Sequence, residues 1–198
     1  MLQPVRTTAA TATNAVSVAE AKSHCIIDTD DHDTLIGTYI EAAYDRLSGY
    51  AGVLGRPILS EGWEIYAYDW PVNDCIRLPF PNVTAVAVKY WDANNTEQTV
   101  LSSLYEVLED RQSSFIHFTD DFTAPAVYDD REDAVTVEFT AGYGASSSDV
   151  PAAIRVAMML MICDWFEHRS NVMEGRGGAT PMPAGSERLI EPYRRNRL

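Results

Sequence analysis

Basic residues and long apolar runs are both scarce in this sequence, and each shortage excludes a class of protein. Fifteen lysines and arginines stand against 29 aspartates and glutamates, which gives a formal net charge of −14. That charge disfavours sequence-independent binding to nucleic acid phosphates. No run of about eighteen apolar residues is present, so no membrane-spanning helix is predicted. Hydrophobic residues nevertheless make up 46% of the 198 residues, and a packed globular core is therefore expected.

Cysteine is rare and widely spaced. The three cysteines are Cys25, Cys75 and Cys163, and no two of them form a CxxC pair. This pattern predicts neither a zinc knuckle nor a disulfide framework, and it fits a reducing compartment such as the bacterial cytoplasm. Cys163 lies in an apolar run, so we expect a small buried side chain there rather than a reactive thiol.

Motifs for catalysis or metal binding are missing as well. The four histidines match neither the HExxH nor the C2H2 spacing, and no serine lies in a GxSxG turn. The acidic segment 28–33 suggests calcium, but an EF-hand loop would need Gly and Glu where Asp33 and Tyr39 stand. Carboxylates at the start of a helix are explained by the helix dipole. The motifs therefore predict neither a recognisable type of catalysis nor a metal site.

The first part of the chain has a helical pattern. Ser17 and Glu20 form a capping-box pair, which predicts that a short helix begins immediately after Ser17. Asp30 or Asp31 is expected to cap a longer helix that runs as far as Gly49. Its apolar residues recur at steps of three and four, so they predict one buried stripe. The residues of this stripe are Leu35, Ile36, Tyr39, Ile40, Ala43 and Leu47.

Residues 58–139 alternate between apolar and polar side chains in the manner of β-strands. The strongest strand is predicted at residues 83–91, and a turn at residues 92–95 predicts a hairpin that returns through residues 97–100. Together the strands are expected to form a small antiparallel meander. The other predicted strands are residues 63–67, 76–78, 105–108, 115–118 and 135–139.

A long helix is predicted at residues 151–171. Asp149 is expected to be its N-cap, and Pro151 suits the first turn because its missing N–H would have no partner there. About 21 residues give a length of roughly 30 Å. This helix and the earlier long helix have apolar stripes of similar length. We therefore expect Ile154, Met158, Met161 and Trp165 to pack against Leu35, Ile36, Tyr39 and Ile40.

The order of helical, β and helical blocks predicts an α+β fold. We expect a small bundle of two main helices and short terminal helices, with an inserted antiparallel β-region at about residues 57–145. Residues 1–15 are expected to be a flexible arm, and residues 16–173 a single α+β domain. Residues 174–198 are expected to hold a flexible connector, a short helix and a basic tail.

The C-terminal end carries a charge opposite to that of the rest of the chain. Residues 188–198 contain four arginines and one glutamate, a net of +3, so residues 1–187 carry −17. A basic tail on an acidic body is typical of an interaction element. A solvated, frayed end is an equally simple interpretation.

Acidic pairs recur in the second half of the predicted β-region. Two of these pairs are Asp120 with Asp121 and Asp129 with Asp130. The plain interpretation is a set of solvated loops. The functional interpretation is a surface that repels DNA phosphates and keeps a channel free of sticking contacts.

Several segments, taken in order, resemble a family of phage head-tail connector proteins. The resemblance covers roughly residues 16–195, and the collinear set carries it rather than any one motif. The matching segments are residues 18–28, 31–50, 56–57, 76–81, 83–90, 137–143, 150–151, 165–169 and 189–194.

The resemblance implies a non-enzymatic adaptor in the particle neck, without cofactor or membrane contact. Such a subunit would be made in the bacterial cytoplasm. It would form a dodecameric ring, about twelve copies, between the portal protein and the stopper or tail-completion protein. DNA would pass through the ring without sequence-specific binding. The acidic residues named above are the candidate lining of that channel. Family members commonly grip the portal with a C-terminal segment, here Tyr193, Arg194, Arg195, Arg197 and Leu198.

Two alternatives remain open at this point. One is another neck component, such as the stopper or the tail terminator. The other is a small ligand-binding or hydrolytic α+β enzyme, which would need convergent polar side chains in a pocket. The particle itself could be an infectious phage or a gene transfer agent.

Overall fold

The computed structural model describes residues 4–110, 113–168 and 182–195. These residues form eight β-strands and four α-helices, and the strands pair antiparallel throughout. Helices and strands occupy separate stretches of the chain, so the predicted α+β class is confirmed.

Contacts divide the chain into two compact units. Unit 1 comprises Met1–Ala9 and Ser60–Gly142 and contains the eight described strands. Unit 2 comprises Ala10–Leu59 and Tyr143–Leu198 and contains the four described helices. The β insert expected at about residues 57–145 therefore corresponds to the second segment of unit 1.

Unit 1 contains two antiparallel sheets. In chain order the strands are β1 Val5–Thr8, β2 Glu61–Ala67, β3 Cys75–Arg77, β4 Val83–Trp91, β5 Glu97–Thr99, β6 Tyr105–Glu109, β7 Ser114–Phe118 and β8 Val135–Ala141. The larger sheet has the order β1-β2-β8-β4-β5, and the smaller sheet has the order β3-β7-β6. The expected single meander is therefore wrong. Strand β8 pairs with the distant β2 and β4 because pairing follows matching buried faces rather than order along the chain.

Strands β2 and β8 are neighbours in the larger sheet, and both alternate buried with partly exposed residues. Trp63 lies opposite Phe139, and Ile65 lies opposite Val137. All four side chains are buried. The Trp63 ring also meets the Phe80 ring edge to face, with 4.7 Å between their centroids.

Strand β1 adds a polar edge to this sheet by pairing with β2. All four of its residues are exposed, so it lacks the alternation from which a strand can be predicted. For this part of residues 1–15 the expected flexible arm is wrong. A methyl group at Gly62 would lie 2.7 Å from the Thr7 hydroxyl oxygen, so the close approach of β1 favours glycine there.

Unit 2 is a helical bundle. Its helices are α1 Val18–Cys25, α2 Asp33–Leu47, α3 Ala152–Glu167 and α4 Ala184–Ile190. Helices α1, α2 and α4 each pack against α3. Helix α3 is apolar on nearly all sides, so it needs neighbours around most of its circumference.

The two helices of the first segment begin for different reasons. At α1 the predicted capping box is confirmed. The Ser17 N–H donates to Glu20 Oε2 at 2.8 Å, and the Glu20 N–H donates to Ser17 Oγ at 3.2 Å. Helix α2 begins at Asp33, later than the capping by Asp30 or Asp31 that the sequence predicts. The carboxylates of Asp30 and Asp33 instead accept hydrogen bonds from the Lys22 ammonium group.

Helix α3 begins without the predicted cap. Pro151 takes the N-cap position, and Asp149 Oδ2 accepts hydrogen bonds from the Ser146 hydroxyl at 2.9 Å and the Ser146 N–H at 3.1 Å. These bonds hold the pKa of Asp149 below its ordinary value. The predicted helix end near residue 171 and most of the connector fall in residues 169–181, outside the described residues.

The predicted packing of the two long helices is confirmed for most of its residues. Helices α2 and α3 pack together, and the Tyr39 and Trp165 rings meet edge to face with 6.1 Å between centroids. Leu35 was expected in this contact, but it is half-exposed and lies outside the buried cluster. The predicted residues that are fully buried in one cluster are Ile36, Ile40, Ile154, Met158 and Met161.

A disulfide joins Cys25 at the end of α1 to Cys163 in α3, with 5.4 Å between their Cα atoms. The expectations of no disulfide and of a merely apolar Cys163 are therefore wrong. The two residues are 138 positions apart, and only the packing of α1 on α3 brings them together, so spacing could not reveal the pair. Cys75 carries a free thiol.

We expect Met161→Ala to lower the free energy of unfolding by about 2–5 kcal/mol, because it leaves a cavity in the centre of unit 2. Urea denaturation followed by far-ultraviolet circular dichroism measures the change. Met159→Ala is the matched control, since Met159 lies on the same helix but is half-exposed. A loss at Met161 no larger than that at Met159 would contradict burial of the α3 stripe in the bundle.

Candidate functional site

The basic C-terminal segment is held against unit 2 as far as Arg195. The Arg195 N–H donates a hydrogen bond to the carbonyl oxygen of Leu54, with an N···O distance of 2.9 Å. Arg194 is exposed, and its Nη1 lies 3.9 Å from Glu187 Oε1. An exposed pair at that distance contributes little to stability, so the Arg194 guanidinium is only weakly held.

Helix α4 positions this segment. The Ser186 hydroxyl is buried and donates a hydrogen bond to the Ala157 carbonyl of α3 at 3.2 Å, while Ile190 is fully buried. Tyr193 ends a short 3-10 turn after α4 and packs half-buried against the core of unit 2. The sequence suggested that the tail is free along its whole length, but the part up to Arg195 is held against unit 2. Arg197 and Leu198 lie outside the described residues.

Arg56 and Tyr143 belong to segments that carry the family resemblance, and unit 2 brings them together. The Arg56 guanidinium carbon lies 4.5 Å from the centroid of the Tyr143 ring. Burial raises the pKa of Tyr143, and the nearby Arg56 charge only partly opposes this shift. Tyr143 therefore stays neutral at physiological pH, which fits a packing role.

The two acidic pairs lie in the long connection between β7 and β8. Asp120, Asp121, Asp129 and Asp130 are all exposed, and none forms an ion pair with another residue of the described ranges. Neighbouring residues fix this connection. The Phe122 ring stacks on Phe118 with 4.3 Å between centroids, and the Tyr128 N–H donates to the Trp91 carbonyl at 3.0 Å. The carboxylates thus stand on an anchored loop.

Arg131 is the basic residue nearest these pairs in the chain, and it is already engaged. Its Nε and Nη2 donate to the two carboxylate oxygens of Asp133 at 2.9 and 2.7 Å. These bonds hold the pKa of Asp133 below its ordinary value. The guanidinium carbon of Arg131 also lies 3.8 Å from the centroid of the Trp91 ring.

The charge of the protein is concentrated in unit 1. Its residues include 16 acidic and five basic side chains, a net of −11, which leaves −3 for unit 2. The two units therefore carry surfaces of different net charge.

No group of three histidine, cysteine, aspartate or glutamate side chains in the described parts of the chain could hold a metal ion. No described helix is both long enough and apolar enough to cross a bilayer. A hydrogen bond to Glu64 raises the pKa of Tyr66 to about 12, so this tyrosine does not titrate near neutral pH.

A family model of phage gp6-like head-tail connector proteins matches residues 15–122, which is more than half of the chain. The chain belongs to this family. The match begins just before α1 and ends in the connection after β7, so it covers parts of both units. The resemblance noted from the sequence is thereby confirmed. No curated protein sequence matches significantly.

Chains in solved structures of gene transfer agent particles resemble this connector-family chain over nearly its full length. One chain comes from the neck of an empty gene transfer agent particle computed with C6 symmetry, and another from the virion of a native particle. Each is 26% identical, has a TM-score of 0.75, and aligns 99% of this chain with 97% of its own. A chain from the neck of a native particle computed with C12 symmetry, also 26% identical, has a TM-score of 0.65 and aligns 100% of this chain with 97% of its own.

Sequence reasoning found the surface acids and Arg194 but missed what fixes them. The anchoring bond from Arg195 to Leu54 joins backbone atoms that are far apart in the sequence, so no sequence pattern predicts it. The hydroxyl of Ser186 could have been noticed, since it stands among small and apolar residues on a short helix.

Proposed function

We propose that the chain is a non-enzymatic head-tail adaptor subunit. A ring of about twelve copies would sit on the portal protein and lead to the stopper or tail-completion protein. The observation that carries this proposal is the near-complete alignment, at a TM-score of 0.75, with a chain in the neck of gene transfer agent particles. The particle would be a tailed phage or a phage-derived gene transfer particle, assembled in the bacterial cytoplasm.

The copy number is supported by the symmetry of the similar necks. They were computed with C6 and with C12 symmetry, and a ring of twelve identical subunits satisfies both. The enzyme alternative would need a polar pocket with perturbed titrating groups. Among the described residues, no group of three histidine, cysteine, aspartate or glutamate side chains could hold a catalytic metal ion.

Electron microscopy of the purified protein mixed with the portal ring from the same genome tests the role. We expect an added ring on the portal with the portal's rotational symmetry. Portal alone and protein alone are the controls. If the protein binds only when a second neck protein already covers the portal, the stopper or terminator is the better assignment. Absence of binding in both mixtures would reject the adaptor role.

The basic C-terminus is proposed as the portal-docking element. Arg194 is exposed and weakly paired, and an arginine fork binds carboxylates through two parallel hydrogen bonds. Each exposed pair contributes only about 0.2–1 kcal/mol. About twelve tails acting on one portal would make the sum large through multivalency. The Tyr193 side chain packs against unit 2 and the Arg195 N–H is bonded to Leu54, so we test docking by changing only Arg194 and residues 196–198.

We expect Arg194→Glu combined with deletion of residues 196–198 to leave the fold intact and to abolish portal binding. Circular dichroism checks the fold, and co-sedimentation with the portal ring measures binding. Arg188→Glu is the matched control, because Arg188 is also exposed and lies on α4. If the double variant bound the portal as well as the unchanged protein does, the tail would be only a solvated end.

The acidic connection in unit 1 is proposed to line the DNA channel. Asp120, Asp121, Asp129 and Asp130 are exposed on an anchored loop in the unit that carries −11. Fixed negative charge repels phosphates and would let DNA pass without sequence-specific binding.

Replacing Asp120 and Asp121 by lysine should slow DNA release several-fold while particles still assemble, because lysines would bind passing phosphates. The transfer of a marked DNA per physical particle measures this. Glu41→Lys with Asp45→Lys is the matched control, since it makes the same charge change on exposed positions of α2. Normal transfer in the Asp120/Asp121 variant would place this loop away from the channel, and equal losses in both variants would point to net charge alone.

A further inference from the structure

A covalent bond closes the bundle of unit 2 at one point. Cys25, the last residue of α1, is bonded to Cys163 in α3. Both side chains are half-buried at the surface of the bundle, so small solutes can reach them. The third cysteine, Cys75, lies on β3 in unit 1 and is free.

Helix α1 is a segment that needs external support. It has eight residues, whereas isolated helices shorter than about 12–15 residues are marginal in water. Its first turn is held by the capping box and by the pair of Arg155 Nη1 with Glu20 Oε1 at 3.3 Å. Its last turn is held by the disulfide and by Lys22, which binds Asp30 and Asp33 beyond the helix.

The residue after the bonded cysteine is in an unfavourable conformation. Ile26 has a φ of +57°, in the left-handed region that β-branched residues rarely adopt, and it is 86% exposed. An exposed isoleucine gains little from burial to offset this conformation. The disulfide next to it therefore contributes to holding the end of α1 in place.

We propose that Cys25 and Cys163 form a redox staple that closes after the particle leaves the cytoplasm. The timing rests on the proposed function, because a neck protein is made where thiols stay reduced and then acts outside the cell. The pair would be two thiols during assembly, with the end of α1 loosely held. After release, thiol–disulfide exchange with a small-molecule disulfide would form the Cys25–Cys163 bond and fix the end of α1.

The exchange balances without a further reactant. The Cys25 thiolate attacks the small disulfide, which releases one small thiol and leaves a mixed disulfide. The Cys163 thiolate then attacks Cys25 Sγ and releases the second small thiol. The two protein thiols lose two protons and two electrons, and the small disulfide takes them up as two thiols. The order of attack by the two cysteines can be reversed without changing this balance.

Purified full-length protein tests whether the pair closes. Incubation of the reduced protein with oxidised glutathione should form the Cys25–Cys163 disulfide, identified by mass spectrometry of its peptides, and raise Tm by about 5–15 °C. Amide exchange in α1 should slow at the same time. Cys25→Ser and Cys163→Ser should abolish the rise in Tm, whereas Cys75→Ser should keep it. Absence of that disulfide after oxidation, or an equal Tm in both states, would overturn the proposal.

Thiol trapping tests the timing. N-ethylmaleimide is added to producing cells before lysis and, separately, to released particles, and mass spectrometry reads the state of each cysteine. We expect alkylated Cys25 and Cys163 in cells and the disulfide in particles. A disulfide already formed in cells, or thiols persisting in particles, would overturn the staple. Absence of the chain from particles would instead reject the proposed function, and the purified protein would still decide whether the pair closes.

Discussion

Burial of α3 is the constraint on which the helical unit depends. Of its sixteen residues only Arg155, Asp164 and Glu167 are charged, so the helix cannot face water on any broad side. Helices α1, α2 and α4 cover it from different directions, and each is too short or too polar to be stable without that contact. The capping box, the disulfide and the bond from Ser186 to Ala157 all act at the margins of this one packing interaction.

The same arrangement explains how the backbone of the basic C-terminal segment can be fixed while the Arg194 side chain stays exposed. Helix α4 is fixed on α3, and the bond from Arg195 to Leu54 fixes the chain after it, while Arg194 between them stays exposed. A docking residue on a fixed support loses less conformational entropy on binding than one on a free tail. The acidic residues follow the same principle in unit 1, where aromatic stacking anchors the loop that carries Asp120 and Asp121.

Periodicity and capping predict the elements of this protein well, and they fail where distant parts of the chain decide the outcome. The strand at residues 83–91 and the start of α1 follow directly from local pattern. The polar strand β1 could not be predicted because its exposed residues have no alternation. The predicted N-cap at Asp149 is wrong because its carboxylate accepts hydrogen bonds from Ser146 instead. The candidate surfaces could be named from charge alone, but their anchoring partners could not.

The position of β1 makes the two units inseparable as pieces of sequence. The chain passes from unit 1 to unit 2 after Ala9, returns at Ser60, and leaves again after Gly142. An excised insert of residues 60–142 would lack β1, and the edge of β2 would be left with unpaired backbone groups. Such an edge pairs readily with other chains, so the fragment would be prone to aggregate. Gene fusions or truncations of this connector must therefore keep residues 1–9, which supply the edge strand β1, together with residues 60–142.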